Sequence, residues 1–327
     1  MDEDIARFLD AITESDETTT ERLVGEAIRS PKGIERLLDE LIPRALEIVG
    51  SRWEQNEWTF SQEHLATDVC RRVVESLGDT LNEPDRHAPS ALVVCAEGEW
   101  HSLAATVLKV GLQLAGWQAK LLGPSVSSSQ LAAAIFDEGP DLVAVTCSMV
   151  ANLPGARRMI ATAHETGTSV IVGGRAFGET PDRSIKLGAD GWAAKASRVP
   201  TVAEPSRLPS TRLDQLQSPH AAELRVLDDS THDIIMKLSR SFESVDVDEG
   251  TLAGGAVWIL RTAHAALLCD DPRLLQDHVE WHDRRARLGA ALPTRQVIEG
   301  VVEALPLEAE TTALWLEDAL RRAVDTA

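Results

Sequence analysis

A histidine preceded by a carboxylate is the clearest candidate for chemistry in this chain. Glu99 and His101 are separated by one residue, in a short segment that also holds Trp100 and Ser102. A carboxylate at this distance can accept the N–H of one ring nitrogen, which fixes the tautomer and makes the other nitrogen a better ligand. An imidazole held in this way is a common metal ligand. The spacing therefore predicts that His101 binds a metal and that Glu99 orients its ring.

The elements around Glu99 and His101 are expected to form a parallel sheet. Short apolar runs alternate with helix-like segments at residues 91–96, 119–122, 141–147, 169–174 and 188–193. Because these runs are continuously apolar, they predict strands covered on both faces, as in a doubly wound sheet. Such sheets bind ligands at the carboxyl ends of their strands. His101 follows the first strand, so we expect it at that edge.

Two further features follow neighbouring strands. Ser148 comes after the third strand and could extend the hydrogen-bonded relay from Glu99. Gly173 and Gly174 end the fourth strand, and the absence of side chains there predicts clearance for a bulky group. These residues are therefore expected to share one binding edge with His101.

This set of residues resembles the cobalamin-binding domain of methionine synthase, corrinoid proteins and the light-sensing cobalamin repressors. Their pattern is Asp-x-His-x-x-Gly, then Ser-x-Leu, then Gly-Gly. Here it takes the form Glu99-x-His101-x-x-Ala104, Ser148-x-Val150 and Gly173-Gly174. Glu, Ala and Val stand where the family has Asp, Gly and Leu.

The resemblance implies a role for each matching residue. His101 becomes the lower axial ligand of cobalt, and the nucleotide tail of the cofactor enters a pocket walled by the Ser-x-Leu and Gly-Gly segments. The residues implied in cofactor binding are Glu99, Trp100, Ser102, Leu103, Ser148, Val150, Gly173 and Gly174.

A second signal lies in residues 1–86, whose apolar spacing predicts a small helical bundle. Trp53 is followed after nine residues by Glu63 and His64. This spacing resembles the helical cap of the cobalamin-dependent photoreceptor repressors. The resemblance implies that Trp53 packs against the adenosyl group on the upper face of the corrin and that Glu63 contacts the same group. It also implies that His64 becomes the upper cobalt ligand after light cleaves the cobalt–carbon bond.

The C-terminal part, after a Pro-rich linker at residues 200–230, is expected to be helical. Aromatic, imidazole and guanidinium groups share helix faces there, in the sets Trp258, Arg261 and His264, and His278, Trp281, His282 and Arg285. Such groups suit a flat conjugated ligand with carboxylates. The architecture resembles the photocobilins, which implies that these residues bind biliverdin. The alternative is a helical dimerisation or partner-docking domain.

Composition excludes several classes of function. The 327 residues carry a formal net charge of −20, which disfavours direct binding to nucleic acid. No apolar stretch approaches the ~20 residues that span a bilayer, and the acidic N-terminus is unlike a signal peptide. The four scattered cysteines predict reduced thiols in a cytoplasmic protein. No hydrolase triad, phosphate-binding loop or zinc motif is present in the sequence, so we expect no independent enzymatic activity.

We therefore expect a multidomain α/β protein. Its predicted parts are a helical bundle capping cobalamin (1–86), a doubly wound, flavodoxin-like or Rossmann-like cobalamin-binding domain (87–199), a linker (200–230) and an all-α domain (231–327). The expected function is light sensing with adenosylcobalamin and biliverdin, with output through a light-dependent homo-oligomer or a separate effector protein. A corrinoid methyl carrier of a methyltransferase system, or a light-independent cobalamin sensor or antirepressor, are the alternatives.

Overall fold

The computed structural model describes residues 3–14, 17–203, 218–241, 249–288 and 294–325. The chain divides into two compact units. The first comprises residues 1–148 and 155–213, and the second comprises residues 149–154 and 214–327.

The first unit begins with a helical bundle, as the apolar spacing predicts. Its helices are α1 (Glu3–Glu14), α2 (Glu17–Ala27), α3 (Pro31–Arg36), α4 (Ile42–Glu54) and α5 (Phe60–Asp79), with a π-helical segment Leu37–Leu41 between α3 and α4. In the sequence, Ser30 followed by Pro31, and Ser61, are typical of helix starts. The start at Ser30 is confirmed, since its side chain accepts a hydrogen bond from the amide of Gly33. The start predicted at Ser61 is wrong by two residues, because Thr59 caps α5 through reciprocal bonds with Gln62.

A five-stranded parallel sheet follows the bundle. Its strands are β1 (Ser90–Cys95), β2 (Gln118–Gly123), β3 (Leu142–Thr146), β4 (Ser169–Gly173) and β5 (Gly191–Ala193), in the spatial order β2-β1-β3-β4-β5. The helices of this region are α6 (Leu103–Leu114), α7 (Ser128–Glu138), α8 (Leu153–Glu165), α9 (Asp182–Leu187) and α10 (Val199–Val202). The doubly wound fold is confirmed, and its strand order places the loops after β1 and β3 side by side.

Helix α6 joins the bundle to the sheet. One side of it contributes Leu103 and Val110 to the core formed by the N-terminal helices. The other side contributes Ala105 and Leu112 to the core that covers the sheet around Val93. The bundle and the sheet are therefore held together by one helix that is buried on both sides.

The second unit is helical, with its own buried apolar residues. Its helices are α11 (Ala221–Ser241), α12 (Glu249–Cys269), α13 (Arg273–Arg287), α14 (Thr294–Ala304) and α15 (Glu310–Asp325). Helix α11 begins inside the segment predicted as a linker, so the 200–230 boundary is wrong at its C-terminal end. The sequence also predicts helix breaks at 246–249, at 270–272, at Pro293 and at Pro306. Those at 270–272 and Pro306 are confirmed, whereas residues 246–248 and Pro293 lie outside the described residues.

Residues 149–154 belong to this second unit although they follow β3 directly. They include a 3-10 turn at Val150–Asn152. The side-chain oxygen of the buried Asn152 accepts a hydrogen bond from Arg261 on α12 at 3.0 Å. In the described parts of the chain, no helix is both long and apolar enough to cross a membrane.

The two glycines after β4 allow the loops after β3 and β4 to touch. Gly174 has a φ of +100°, and a Cβ atom there would overlap the carbonyl oxygen of Cys147. That carbonyl also accepts a hydrogen bond from the amide of Ala176 at 3.1 Å. A Cβ atom on Gly173 would lie 3.0 Å from the carbonyl oxygen of Ala193. The absence of side chains at Gly173 and Gly174 therefore allows close approach of the chain's own backbone, and the clearance for a bulky ligand stays a prediction.

Gly174→Ala is expected to destabilise the first unit by about 2–4 kcal/mol, because strain at positive φ adds to the collision with Cys147. Gly167→Ala is the matched control, since Gly167 also has a positive φ (+77°) but open space around its Cα. Gly167→Ala should lower the free energy of unfolding by about 1 kcal/mol. Urea unfolding curves measure both values, and equal costs would contradict the role assigned to the loop contact.

Candidate functional site

The carboxylate of Glu99 lies at the centre of the carboxyl edge of the sheet. It is fully buried, and its Oε1 accepts the backbone N–H of His101 at 3.0 Å and lies 2.5 Å from the ring Nδ1 of the same residue. Its Oε2 accepts the backbone N–H of Ser148 at 2.9 Å. The predicted contact between Glu99 and Ser148 is thus present, but the backbone amide makes it rather than the hydroxyl.

The ring of His101 is oriented for coordination. Its side chain is 51% exposed, and the hydrogen bond that its ring donates to Glu99 raises its pKa. Because Nδ1 is held by Glu99, Nε2 is the nitrogen that remains available to a ligand. One imidazole with a carboxylate behind it fits a cobalt corrin, which His101 would hold through Nε2.

Neighbouring loops hold the Glu99 segment in place. The carbonyl oxygen of Glu99 accepts the amide N–H of Ser125, after β2, at 2.8 Å. The amide of Ala96 donates to the carbonyl of Thr146 on β3 at 2.8 Å. Gly155 on α8 has its Cα against the carbonyl of Glu97, where a Cβ atom would overlap it. The sequence indicated none of these long-range contacts.

The bundle presents a second carboxylate–imidazole pair, on the first turns of α5. Nδ1 of His64 lies 2.6 Å from Oε2 of Glu63, whose other oxygen accepts the hydroxyl of Thr67 at 3.1 Å. The ring of Phe60 stands 3.8 Å from the His64 ring, centroid to centroid. The charge of Glu63 also raises the pKa of His101, so the two pairs lie within electrostatic reach of each other. Phe60 was missed in the sequence, although its i,i+4 spacing from His64 was visible.

The other predicted cobalamin-binding residues occupy different settings. Trp53 is half-buried at the end of α4, and Trp100 is 73% exposed. Ser102 begins α6 without a side-chain capping bond. Leu103 is buried in the core of the bundle, which leaves little of its side chain for a ligand. Val150 lies in the 149–154 segment of the second unit.

On α12, the predicted ligand-binding side chains contact other parts of the second unit. The guanidinium of Arg261 lies 5.7 Å from the centre of the Trp258 ring and also donates to Asn152. Nδ1 of His264 lies 3.2 Å from a carboxylate oxygen of Asp228 on α11. Trp258 and Arg261 therefore contact each other, whereas His264 contacts α11.

On α13, the predicted set is a cluster of rings in edge-to-face contact. The ring of His282 lies 4.5 Å from that of His278 and 4.7 Å from that of Trp281, and Arg285 lies 6.0 Å from the centre of the Trp281 ring. Burial lowers the pKa of His278 to about 3 and that of His282 to about 4. Nε2 of His278 is buried and has no hydrogen-bond partner among the described residues. Both imidazoles are therefore neutral near pH 7.

Comparison with known proteins identifies cobalamin-binding domains in the first unit. Residues 89–199 match one family model of a B12 binding domain, and residues 4–77 match a second. "Dimethylamine corrinoid protein 3" of Methanosarcina mazei is 26% identical over 162 residues, which cover 48% of this chain and 96% of that protein. "HTH-type transcriptional repressor CarH" of Myxococcus xanthus is 30% identical over 112 residues, which cover 34% of this chain and 36% of that protein.

The monomethylamine corrinoid protein of Methanosarcina barkeri is a similar solved structure. It matches with a TM-score of 0.49 and 22% identity, over 60% of this chain and 94% of that chain.

The buried imidazoles of α13 predict a pH-dependent stability. An imidazole whose pKa is lower in the folded chain than its unfolded value of about 6.5 is neutral in both states above pH 6.5, where the stability of the fold is fully present. As the pH falls from 6.5 toward 4, the unfolded chain takes up protons more readily, so the free energy of unfolding drops by about 1.4 kcal/mol per pH unit for each imidazole. Urea unfolding of the ligand-free chain between pH 7 and pH 4.5 measures this loss.

His278→Leu should flatten the dependence on pH, since leucine preserves the apolar packing without a titrating group. His232→Leu, on the exposed side of α11, is the control and should leave the slope unchanged. An unaltered slope in His278→Leu would contradict the assignment of a buried neutral imidazole.

Proposed function

We propose that this cobalamin-binding protein is a light sensor that holds adenosylcobalamin between its N-terminal helices and the carboxyl edge of its sheet. The observation that carries the proposal is the presence of two carboxylate-held imidazoles in one unit. His101 lies on the sheet side and His64 on the bundle side, and the charge of Glu63 reaches His101. A cofactor with two axial positions suits such a pair.

Each residue has a defined task in this proposal. When bound, adenosylcobalamin supplies a cobalt–carbon bond that light can break. His101 offers Nε2 on the lower side, because Glu99 holds its Nδ1. Trp53 packs beside the adenosyl group. Glu63 holds Nδ1 of His64, so that Nε2 of His64 is ready for the upper position once the adenosyl group has left.

The signal would leave the protein as a change in assembly. We propose a light-dependent homo-oligomer or a contact with a separate effector protein, in the cytoplasm, without direct binding to nucleic acid or membrane. The net charge of −20 supports a protein partner over nucleic acid. The protein would then be a signalling protein rather than an enzyme.

We also propose that biliverdin binds to the C-terminal helices. The rings of His278, Trp281 and His282 form an edge-to-face aromatic cluster that can pack against a conjugated ligand, and Arg285 beside them can pair with a propionate. The unpartnered Nε2 of His278 is available to accept a pyrrole N–H.

A corrinoid methyl carrier is the second candidate, and the names of the similar methanogen proteins favour it. A carrier must expose the upper face of its corrin to partner enzymes, whereas Trp53 and His64 would obstruct that face. About half of this chain also lies outside the match to the corrinoid protein of M. mazei. These two points make the light sensor the better proposal.

Absorption spectra test the main proposal. Protein loaded with adenosylcobalamin in the dark should show cobalamin bands that shift under green light to a stable new spectrum. His64→Ala should still lose the adenosyl group but should not reach that final spectrum, and His101→Ala should alter the spectrum already in the dark. Retention of methylcobalamin with rejection of adenosylcobalamin would favour the methyl carrier instead.

Trp53→Ala is expected to weaken binding of adenosylcobalamin about tenfold relative to methylcobalamin, because the adenosyl group loses an aromatic contact. Trp58→Ala is the matched control, since Trp58 is also half-buried but packs against the bundle core. Titrations monitored by absorbance measure the ratio of the two affinities. Equal ratios in both variants would contradict the place given to Trp53.

Biliverdin binding is tested in the same protein. Added biliverdin should give a red-absorbing band that survives gel filtration, and Trp281→Leu together with Arg285→Gln should weaken that band at least tenfold. Cobalamin spectra serve as the control and should not change in this double variant. A protein that retains no biliverdin would leave the C-terminal helices as a docking domain.

A further inference from the structure

We propose that Arg175 binds the phosphodiester in the nucleotide tail of cobalamin and thereby selects complete cobalamin over corrinoids that lack the tail. The inference rests on the proposed binding of cobalamin to the first unit. It adds a residue that the sequence pattern did not single out.

The position of Arg175 is the first argument. It follows Gly174 directly, on the 3-10 turn Arg175–Phe177 at the carboxyl edge of β4. The next two residues, Ala176 and Phe177, are buried. The turn is tied to the loop after β3 by the bond from Ala176 to Cys147, and Arg183 donates to the carbonyl of Ala176 at 3.0 Å. The backbone of Arg175 is therefore fixed, while its side chain is exposed.

The second argument is that the positive charge of Arg175 is not paired with another side chain of the described residues. The guanidinium of Arg175 makes no hydrogen bond or ion pair with any described residue. Other charged groups of this edge are paired: Arg158 lies 2.8 Å from Glu97, and His101 lies 2.5 Å from Glu99. Arg175 is also close enough for its charge to act on His101. A cation without a partner beside the candidate ligand site is poised for an anion supplied by the ligand.

The third argument is the chemistry of the ligand. The side chains of a corrin are neutral amides, and the adenosyl group carries no acidic group. The phosphodiester of the nucleotide tail is thus the anionic substituent that cobalamin presents. Arginine binds phosphate with paired, charge-assisted hydrogen bonds. Arg175 directly follows the Gly-Gly segment, which the resemblance to cobalamin-binding domains assigns to the tail, so we expect its exposed guanidinium to meet the phosphodiester.

Paired titrations with adenosylcobalamin and adenosylcobinamide test this inference, because the two ligands share the corrin and the upper group but cobinamide lacks the phosphodiester and the nucleotide. In the full chain, Arg175→Gln should weaken the affinity for adenosylcobalamin about tenfold or more and leave the affinity for adenosylcobinamide unchanged. Arg175→Lys should retain part of the preference, since it keeps the charge but loses the paired geometry.

Arg44→Gln is the matched control, because it removes the same charge from an exposed position on α4. It should change neither affinity. In the wild-type protein, the ratio of the affinities for adenosylcobalamin and adenosylcobinamide should also fall as salt is added, because salt screens the charge of Arg175. In Arg175→Gln this ratio should depend less on salt. An equal loss for both ligands in Arg175→Gln, or no loss at all, would overturn the inference. A wild-type protein that binds neither corrinoid would instead overturn the proposed function.

Discussion

The buried carboxylate of Glu99 is the constraint on which the rest of the site depends. A buried charge is costly unless donors surround it, and this carboxylate meets three groups from two loops: the amide and ring of His101 and the amide of Ser148. Satisfying one charge therefore sets the ring orientation of His101 and the spacing of the loops after β1 and β3. The departure from aspartate to glutamate in the family pattern keeps this role, because the longer side chain still reaches both loops.

The proposed pair of cofactor-binding imidazoles requires a controlled distance between bundle and sheet, and α6 packs against both. It begins one residue after Ser102 and is buried on both sides, against the bundle through Val110 and against the sheet through Leu112. Tightly packed interiors resist small displacements. A shift of α5 on loss of an upper group would therefore be transmitted as a movement of whole helices rather than absorbed by local rearrangement.

Patterns of local origin could be predicted from the sequence, and contacts between distant residues could not. The strands and the Glu99–His101 pair depend on residues within one element, so periodicity and spacing were sufficient. The cap of α5 was placed at Ser61 instead of Thr59 because both residue types can cap a helix. The function of Gly174 depends on the carbonyl of Cys147, and the lack of a partner for Arg175 depends on the whole fold. Neither fact is encoded in the neighbouring residues.

The assignment of residues 149–154 to the C-terminal unit has a consequence for how such proteins can be recombined. The helices after residue 214 are not a simple appendix, because Asn152 and Arg261 form one bond of that unit across more than a hundred residues of chain. A hybrid that exchanges these helices for another domain must therefore also exchange the six residues after Ser148. These six residues are expected to change together with the C-terminal helices, in evolution and in engineering, rather than with the sheet that they follow.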